Sequence, residues 1–243
     1  MKSNYILYDF EKSRARIDDI LIAKDTSYEE VDEIPSRDKL TFNNGFYISK
    51  TSSLFIDIRG SSKLASDYKR PTLAKIYRSY LSESTAVING NIFCAEVNIH
   101  GDCVWGIFDS QYKAQIDNIF STAAELSSLI DTLNCKYKKY GIQPISVGIG
   151  IEFGRVLMIK AGYSGSGLND VVWMGEVVND ARKLCSYGNR TLWDNETMVS
   201  ADFYSNLNDH NKSLLTWNSN RNCYHGNIIN TSMDEWLKNN GCK

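Results

Sequence analysis

An α+β fold, built on a mixed and largely antiparallel sheet flanked by helices, is predicted by three features of this chain. The first is Leu54-Phe55-Ile56-Asp57-Ile58, a short apolar strand with one carboxylate near its exit. The second is the stretch from Val97 to Phe108, two apolar runs joined by a His100-Gly101-Asp102 turn, which signals a hairpin. The third is a pair of long stripes of helical period, from Leu73 to Ile88 and from Ile116 to Tyr140. Hairpins interleaved with long helices in this order belong to an α+β class.

The segment before the first strand, 1–49, is expected to be an appendage. It carries Glu29, Glu30, Asp32 and Glu33 ahead of Pro35, and its one apolar period is Ile17, Ile20 and Leu21 in a short helix. Such an arm lies on a partner subunit, covers a sheet edge or stays semi-ordered. The strand that follows is nearly continuous in hydrophobicity, so both of its faces are covered. An uncompensated carboxylate at Asp57 is costly in that setting, and a cation is the expected compensation. Past it, Gly60 allows close backbone approach, while Ser61 and Ser62 offer hydroxyls and free helix amides that suit phosphate oxygens.

Pro71 opens a helix whose stripe of Leu73, Ile76, Tyr77, Tyr80, Leu81, Val87 and Ile88 ends at Asn89-Gly90. The hairpin, 92–99 and 103–108, follows with Asp102 at its tip, and then the longer helix. A strand over 145–151, punctuation at Gly154 and a second strand over 156–159 come next. Gly148 and Gly150 mark bulges or close packing there, since no helix opens after them. The Gly/Ser-rich stretch 161–167 is expected to form a flexible loop lying over the site. A strand over 170–174 leads into a helix bearing Asn179, Arg182 and Lys183. Four residues apart, Asn179 and Lys183 share a helix face, with Arg182 about 100° away. Short strands near 213–217 and 223–231 and a helix near Trp236 complete the chain.

With 243 residues the chain forms one domain with a modest addition. A formal net charge of −2 argues against nucleic acid as a partner. No long apolar run predicts a membrane span or signal peptide, so a cytoplasmic protein is expected. Cys94, Cys103, Cys135, Cys185, Cys223 and Cys242 show no zinc-like spacing and are read as reduced thiols. Asp57 and Asp102, two hard oxygen donors on neighbouring strand ends, suit Mg²⁺ or Mn²⁺ bridging substrate phosphates.

Asp57-Ile58-Arg59-Gly60-Ser61, then Gly101-Asp102 in a hairpin, then Gly175-Glu176-Val177-Val178-Asn179-Asp180-Ala181-Arg182-Lys183-Leu184 together resemble the catalytic domain of class III nucleotidyl cyclases. The resemblance spans 50–235, leaving 236–243 as a tail, and implies a ferredoxin-like core. It also implies two Mg²⁺ or Mn²⁺ ions per site, held by Asp57, the Ile58 carbonyl and Asp102. Asn179 then orients the ribose and Lys183 stabilises the transition state, standing where the family has Arg; whether Lys183 or Arg182 carries that charge stays open. A homodimer with shared sites is implied, the aspartates of one chain facing the Asn/Lys helix of the other.

Asn98 and Val172 stand where adenylate cyclases of this class carry their adenine-reading residues, so the chain is similar to the Pycsar pyrimidine cyclases of antiphage defence. A cytidylate or uridylate cyclase is expected, leaning to CTP over UTP, whose cyclic product a separate effector reads. A purine cyclase and an inactive nucleotide-sensing module are the alternatives. Lack of an acid after Asp102 argues against a diguanylate cyclase or polymerase palm. Arg59, Gly60, Ser61 and Ser62 are assigned to the β- and γ-phosphates. Asn98 is assigned to the base edge, and Phe55, Val172 and Trp173 to its apolar walls.

Overall fold

The computed structural model describes residues 2–243; Met1, part of the expected arm, lies outside them. In chain order the elements are α1 (Phe10–Leu21), β1 (Tyr28–Val31), β2 (Gly45–Ile58), α2 (Ser61–Asp67), α3 (Arg70–Asn89), β3 (Cys94–His100), β4 (Cys103–Asp109) and α4 (Lys113–Lys139). They continue with β5 (Val147–Tyr163), β6 (Leu168–Met174), α5 (Glu176–Tyr187), β7 (Thr197–Val199), α6 (Ala201–Asn206), α7 (Asp209–Ser213), β8 (Thr216–Asn218), β9 (Cys223–Gly226) and α8 (Thr231–Asn239).

One mixed sheet runs in the order β3-β4-β2-β5-β7-β9-β8, with β1 added to β2 and β6 to β5. Strand β2 is central. Its side chains alternate faces, so Leu54, Ile56 and Ile58 enter the main core beneath α3 and α4, while Phe55 packs under α5 with Ala181 and Cys185. Helices on both faces account for the unbroken apolar run around Asp57. Ile76, Tyr80 and Ile88 of α3 and the stripe Ile116 to Tyr137 of α4 are buried as their period requires. Tyr140, expected in that stripe, is instead 81% exposed as the C-cap of α4.

Several elements are longer than their patterns indicate. β2 begins at Gly45 and crosses residue 49, because Thr51, Ser52 and Ser53 are buried polar residues that break the apolar signature. β5 continues through Gly154 as one strand of 17 residues. The stretch 161–167 is the closed tip of the β5–β6 hairpin: Ser166 Oγ donates to Tyr163 O at 2.7 Å and accepts from Leu168 N at 3.0 Å. It packs on the arm through Arg16 over Tyr163 and through Asn4 Nδ2 donating to Ser166 O.

The arm is split in character. α1 has no buried residue, but β1 runs parallel to Gly45–Ile48 and covers the part of β2 that β4 leaves free. Val31, Ile34 and Leu40 then join a second core with Phe46, Ile48, Ile107, Met158 and Trp173. At the other end β9 stops at Gly226, short of 231. Cys135 and Cys242 form a disulfide across 107 residues of sequence, correcting the reading of six reduced thiols. The turn after α8 brings the tail back to the end of α4, a proximity that no Cys spacing encodes. Among the described residues no helix is long and apolar enough to cross a membrane.

Candidate active site

β2 presents Asp57 on the α5 side of the sheet, two residues beyond Phe55, and the β3–β4 turn presents Asp102 to the same cleft. Burial first, and then the neighbouring Asp102 carboxylate, push the Asp57 carboxyl above its ordinary value, while Arg59 and Arg182 act in the opposite sense. Asp102 Oδ2 is buried without a hydrogen-bond partner among the described residues. A pair of facing carboxylates with one orphaned oxygen is a donor set for a divalent cation. Among the described residues no group of three or more His, Cys, Asp or Glu is placed to hold a metal, so the two carboxylates are the acidic donors the cleft offers. The residues present therefore fit the implied metal.

Behind Asp57, Gly60 has φ of 65° and turns the chain into α2, placing Ser61 and Ser62 in its first turn. Arg59 turns inward, onto the chain's own groups. Its Nη2 donates to Cys185 O at 2.8 Å and lies 3.9 Å from Asp57 Oδ2. The guanidinium thus satisfies a carbonyl near the C-terminus of α5 and ties that helix to the exit of β2. The side chain expected to hold the β- and γ-phosphates is thus engaged within the chain.

α5 sits directly on the backbone of β5. A Cβ on Gly150 would lie 2.0 Å from Cys185 N and 2.2 Å from Ala181 O, and one on Gly148 would lie 2.3 Å from Cys185 O. The glycines are therefore close-packing positions, one of the two readings their pattern left open. Gly150→Ala is expected to destabilise the fold by more than about 2 kcal/mol, because backbone cannot rotate away as a side chain does; thermal unfolding measures it.

Seated this way, α5 buries Val177, Ala181, Leu184 and Cys185, and Asn179 stands at the rim. Arg182 lines the cleft with Asn179, Asp57 and Asp102, a space of about 730 Å³. Lys183 lies on the far flank of the helix, in a hollow with Glu152, Asp180 and Arg221. Within one chain, then, Arg182 and not Lys183 faces the aspartates.

The cleft floor is Phe55 stacked on Trp105, with centroids 5.0 Å apart and planes 1° from parallel. Trp105 pairs with Phe55 across β2–β4 and with Asn98 across β3–β4. Trp105 is a cleft residue that the motifs do not mark, although an aromatic three residues past Asp102 is a usable signal. Asn98 lines the same cleft. Val172 and Trp173 do not: β6 pairs with the outer half of β5, and Trp173 is 6% exposed within the second core. Trp173 is thus no open wall for a base in this chain, and Val172 stands on solvent at 36% exposure.

No protein-family profile matches the chain. It is 36% identical over 259 residues to a uridylate cyclase of Gulbenkiania mobilis, covering 99% of this chain and 100% of that protein. It is 35% identical over 240 residues to a uridylate cyclase of Treponema porcinum, covering 97% and 83%. Among solved structures it superposes on the adenylyl cyclase CyaB from P. aeruginosa with a TM-score of 0.61 at 22% identity, covering 71% of this chain and 85% of that one. The fold is that of the class III nucleotidyl cyclases, and the chain is a nucleotidyl cyclase. Within that class, the chain belongs to the family of the uridylate cyclases.

Proposed function

We propose that the chain converts UTP to 3′,5′-cyclic UMP and pyrophosphate, in a homodimer whose two sites each draw on both chains. The observation that carries the reading is the cleft itself: two facing carboxylates, one with an unpartnered buried oxygen, beside a cation and above an aromatic floor. UTP is preferred to CTP on the strength of the relatives' names, since Asn98 alone suits either base. The further role, a second messenger read by a separate effector in antiphage defence, rests on the resemblance to the Pycsar cyclases.

Asp57, the Ile58 carbonyl and Asp102 would hold the divalent ions. Bound there, Mg²⁺ or Mn²⁺ supplies acidification of the ribose 3′-hydroxyl and neutralisation of triphosphate charge. The amides around Gly60 and the hydroxyls of Ser61 and Ser62 hold the terminal phosphates. Asn179 fixes the ribose so that its 3′-oxygen bonds to the α-phosphorus as the bridging oxygen departs with pyrophosphate. Arg182 on the metal-binding chain and Lys183 from the partner chain balance the charge gathering on the α-phosphate oxygens. Lys delivers that charge as a point, without the fork of Arg. Phe55 and Trp105 support the base, and Asn98 reads its edge.

Incubation with Mn²⁺ and each of the four nucleoside triphosphates in turn, with products identified by mass spectrometry, is the test. Cyclic UMP should predominate; cyclic AMP or cyclic GMP as the main product would overturn the reading. Asn98→Ala is expected to blur discrimination among the four more than it lowers turnover of the best, because a lost base contact removes specificity before chemistry.

A further inference from the structure

Asn98 is not free to turn. Its Nδ2 donates to Glu96 Oε1 at 3.2 Å, and this accepting carboxylate is only 12% exposed, its other oxygen 3.6 Å from Arg37 Nε. Arg37 is ion-paired in turn with Asp170 on β6. A register shift between Cys94 and Glu96 sets these side chains: past it Glu96 pairs with Ile107 and Asn98 with Trp105 of the cleft floor. The segment between β1 and β2 thus reaches over the sheet and holds the residue behind Asn98.

A side-chain amide is ambidextrous, with an acceptor on one side and donors on the other. A uracil edge presents an N–H between two carbonyls, while a cytosine edge presents a ring-nitrogen acceptor beside an amino donor. Turned over, the same Asn serves either. A carboxylate only accepts, so Glu96 fixes the amide nitrogen on its own side and the oxygen on the other. Reversal would set Asn98 Oδ1 against a poorly solvated negative charge.

We infer that Glu96, held by Arg37, is a positioning residue that makes Asn98 a one-way reader and so sets the preference for uracil over cytosine. The inference rests on the proposed role of Asn98 in reading the base. It assigns specificity to a residue that does not line the cleft and to a segment that looks, in sequence, like an appendage.

The test compares kcat/KM for UTP and for CTP, with kcat and KM resolved, in Glu96→Gln, Arg37→Ala, Asp170→Asn and Asn98→Ala. Glu96→Gln keeps the shape but lets its own amide donate to a reversed Asn98. The UTP-to-CTP ratio should fall at least about tenfold, through improved KM for CTP, with kcat on UTP changed less than about threefold. Arg37→Ala, at an exposed side chain, should shift the ratio in the same direction by less. Asp170→Asn, which loosens the far end of the network but leaves the carboxylate charged, should leave the ratio unchanged. An unchanged ratio in Glu96→Gln, or an equal shift in Asp170→Asn, overturns the inference while Asn98→Ala still collapses the ratio. A ratio unmoved by Asn98→Ala instead overturns the base-reading assignment, and this inference with it.

Discussion

Asp57→Ala and Asp102→Ala are each expected to abolish cyclic nucleotide formation, a fall of at least about a thousandfold in kcat/KM, because either change removes half of the carboxylate pair that lines the cleft. The same variants should keep or gain thermal stability in metal-free buffer. Asp57 is held above its ordinary carboxyl value by burial and by Asp102, so deleting one of two repelling groups relieves the folded state. The two measurements belong together. Loss of activity alone would also follow from misfolding, whereas an inactive variant with an unchanged or higher melting temperature locates the defect in ion binding. Substantial activity in either variant would sink the metal assignment.

Mixing inactive variants separates what one chain supplies from what its partner supplies. If, as proposed, Asp57 and Arg182 lie on one side of a shared site and Lys183 on the other, an Asp57→Ala/Lys183→Ala heterodimer places both lesions in one site and leaves the other intact. Under random exchange about half of the dimers are mixed and each has one working site of two, so about a quarter of wild-type activity returns. Asp57→Ala mixed with Arg182→Ala recovers nothing, since each chain then carries one damaged metal half. Arg182→Ala mixed with Lys183→Ala recovers about a quarter again. The contrast follows from Arg182 lining the same-chain cleft as Asp57 while Lys183 points to the opposite flank of α5. With subunit exchange proven, failure of both Lys183 mixtures would mean that the site is built within one chain.

Legibility in the sequence tracked how local each signal is. The strand at 54–58, the hairpin tip at Asp102 and the two long helices follow from periodicity, and they alone bring the two carboxylates to one end of the sheet. Strand β2 was half hidden because Thr51, Ser52 and Ser53 spend burial on polar side chains. Gly154 looked like punctuation, but nothing there demands a positive φ and β5 runs through it. The helical wheel separated Arg182 from Lys183 but grouped Asn179 with Lys183, whereas Asn179 lines the cleft with Arg182; which flank met the aspartates depended on where Gly148 and Gly150 seat the helix. Arg59 read as a phosphate ligand because its engagement with Cys185 O joins positions 126 apart. The Cys135–Cys242 link and the Arg37–Glu96–Asp170 network are likewise contacts of tertiary structure, with no trace in local pattern.

The glycine seat beneath α5 bears on how the enzyme must move. A helix normally rides on a cushion of side chains whose rotamers let it slide by an ångström or two, and here that cushion is missing over Gly148 and Gly150. Backbone rests on backbone, and Arg59 pins the far end of the helix to the exit of β2. That packing ties Arg182 and Asn179 on α5 to Asp57 on β2 within one chain. In the proposed homodimer, admission of nucleotide and expulsion of pyrophosphate would then fall to rotation of one subunit against the other. Turnover in this enzyme should accordingly slow with solvent viscosity and stop when a covalent cross-link fixes the two chains, even one placed far from the cleft.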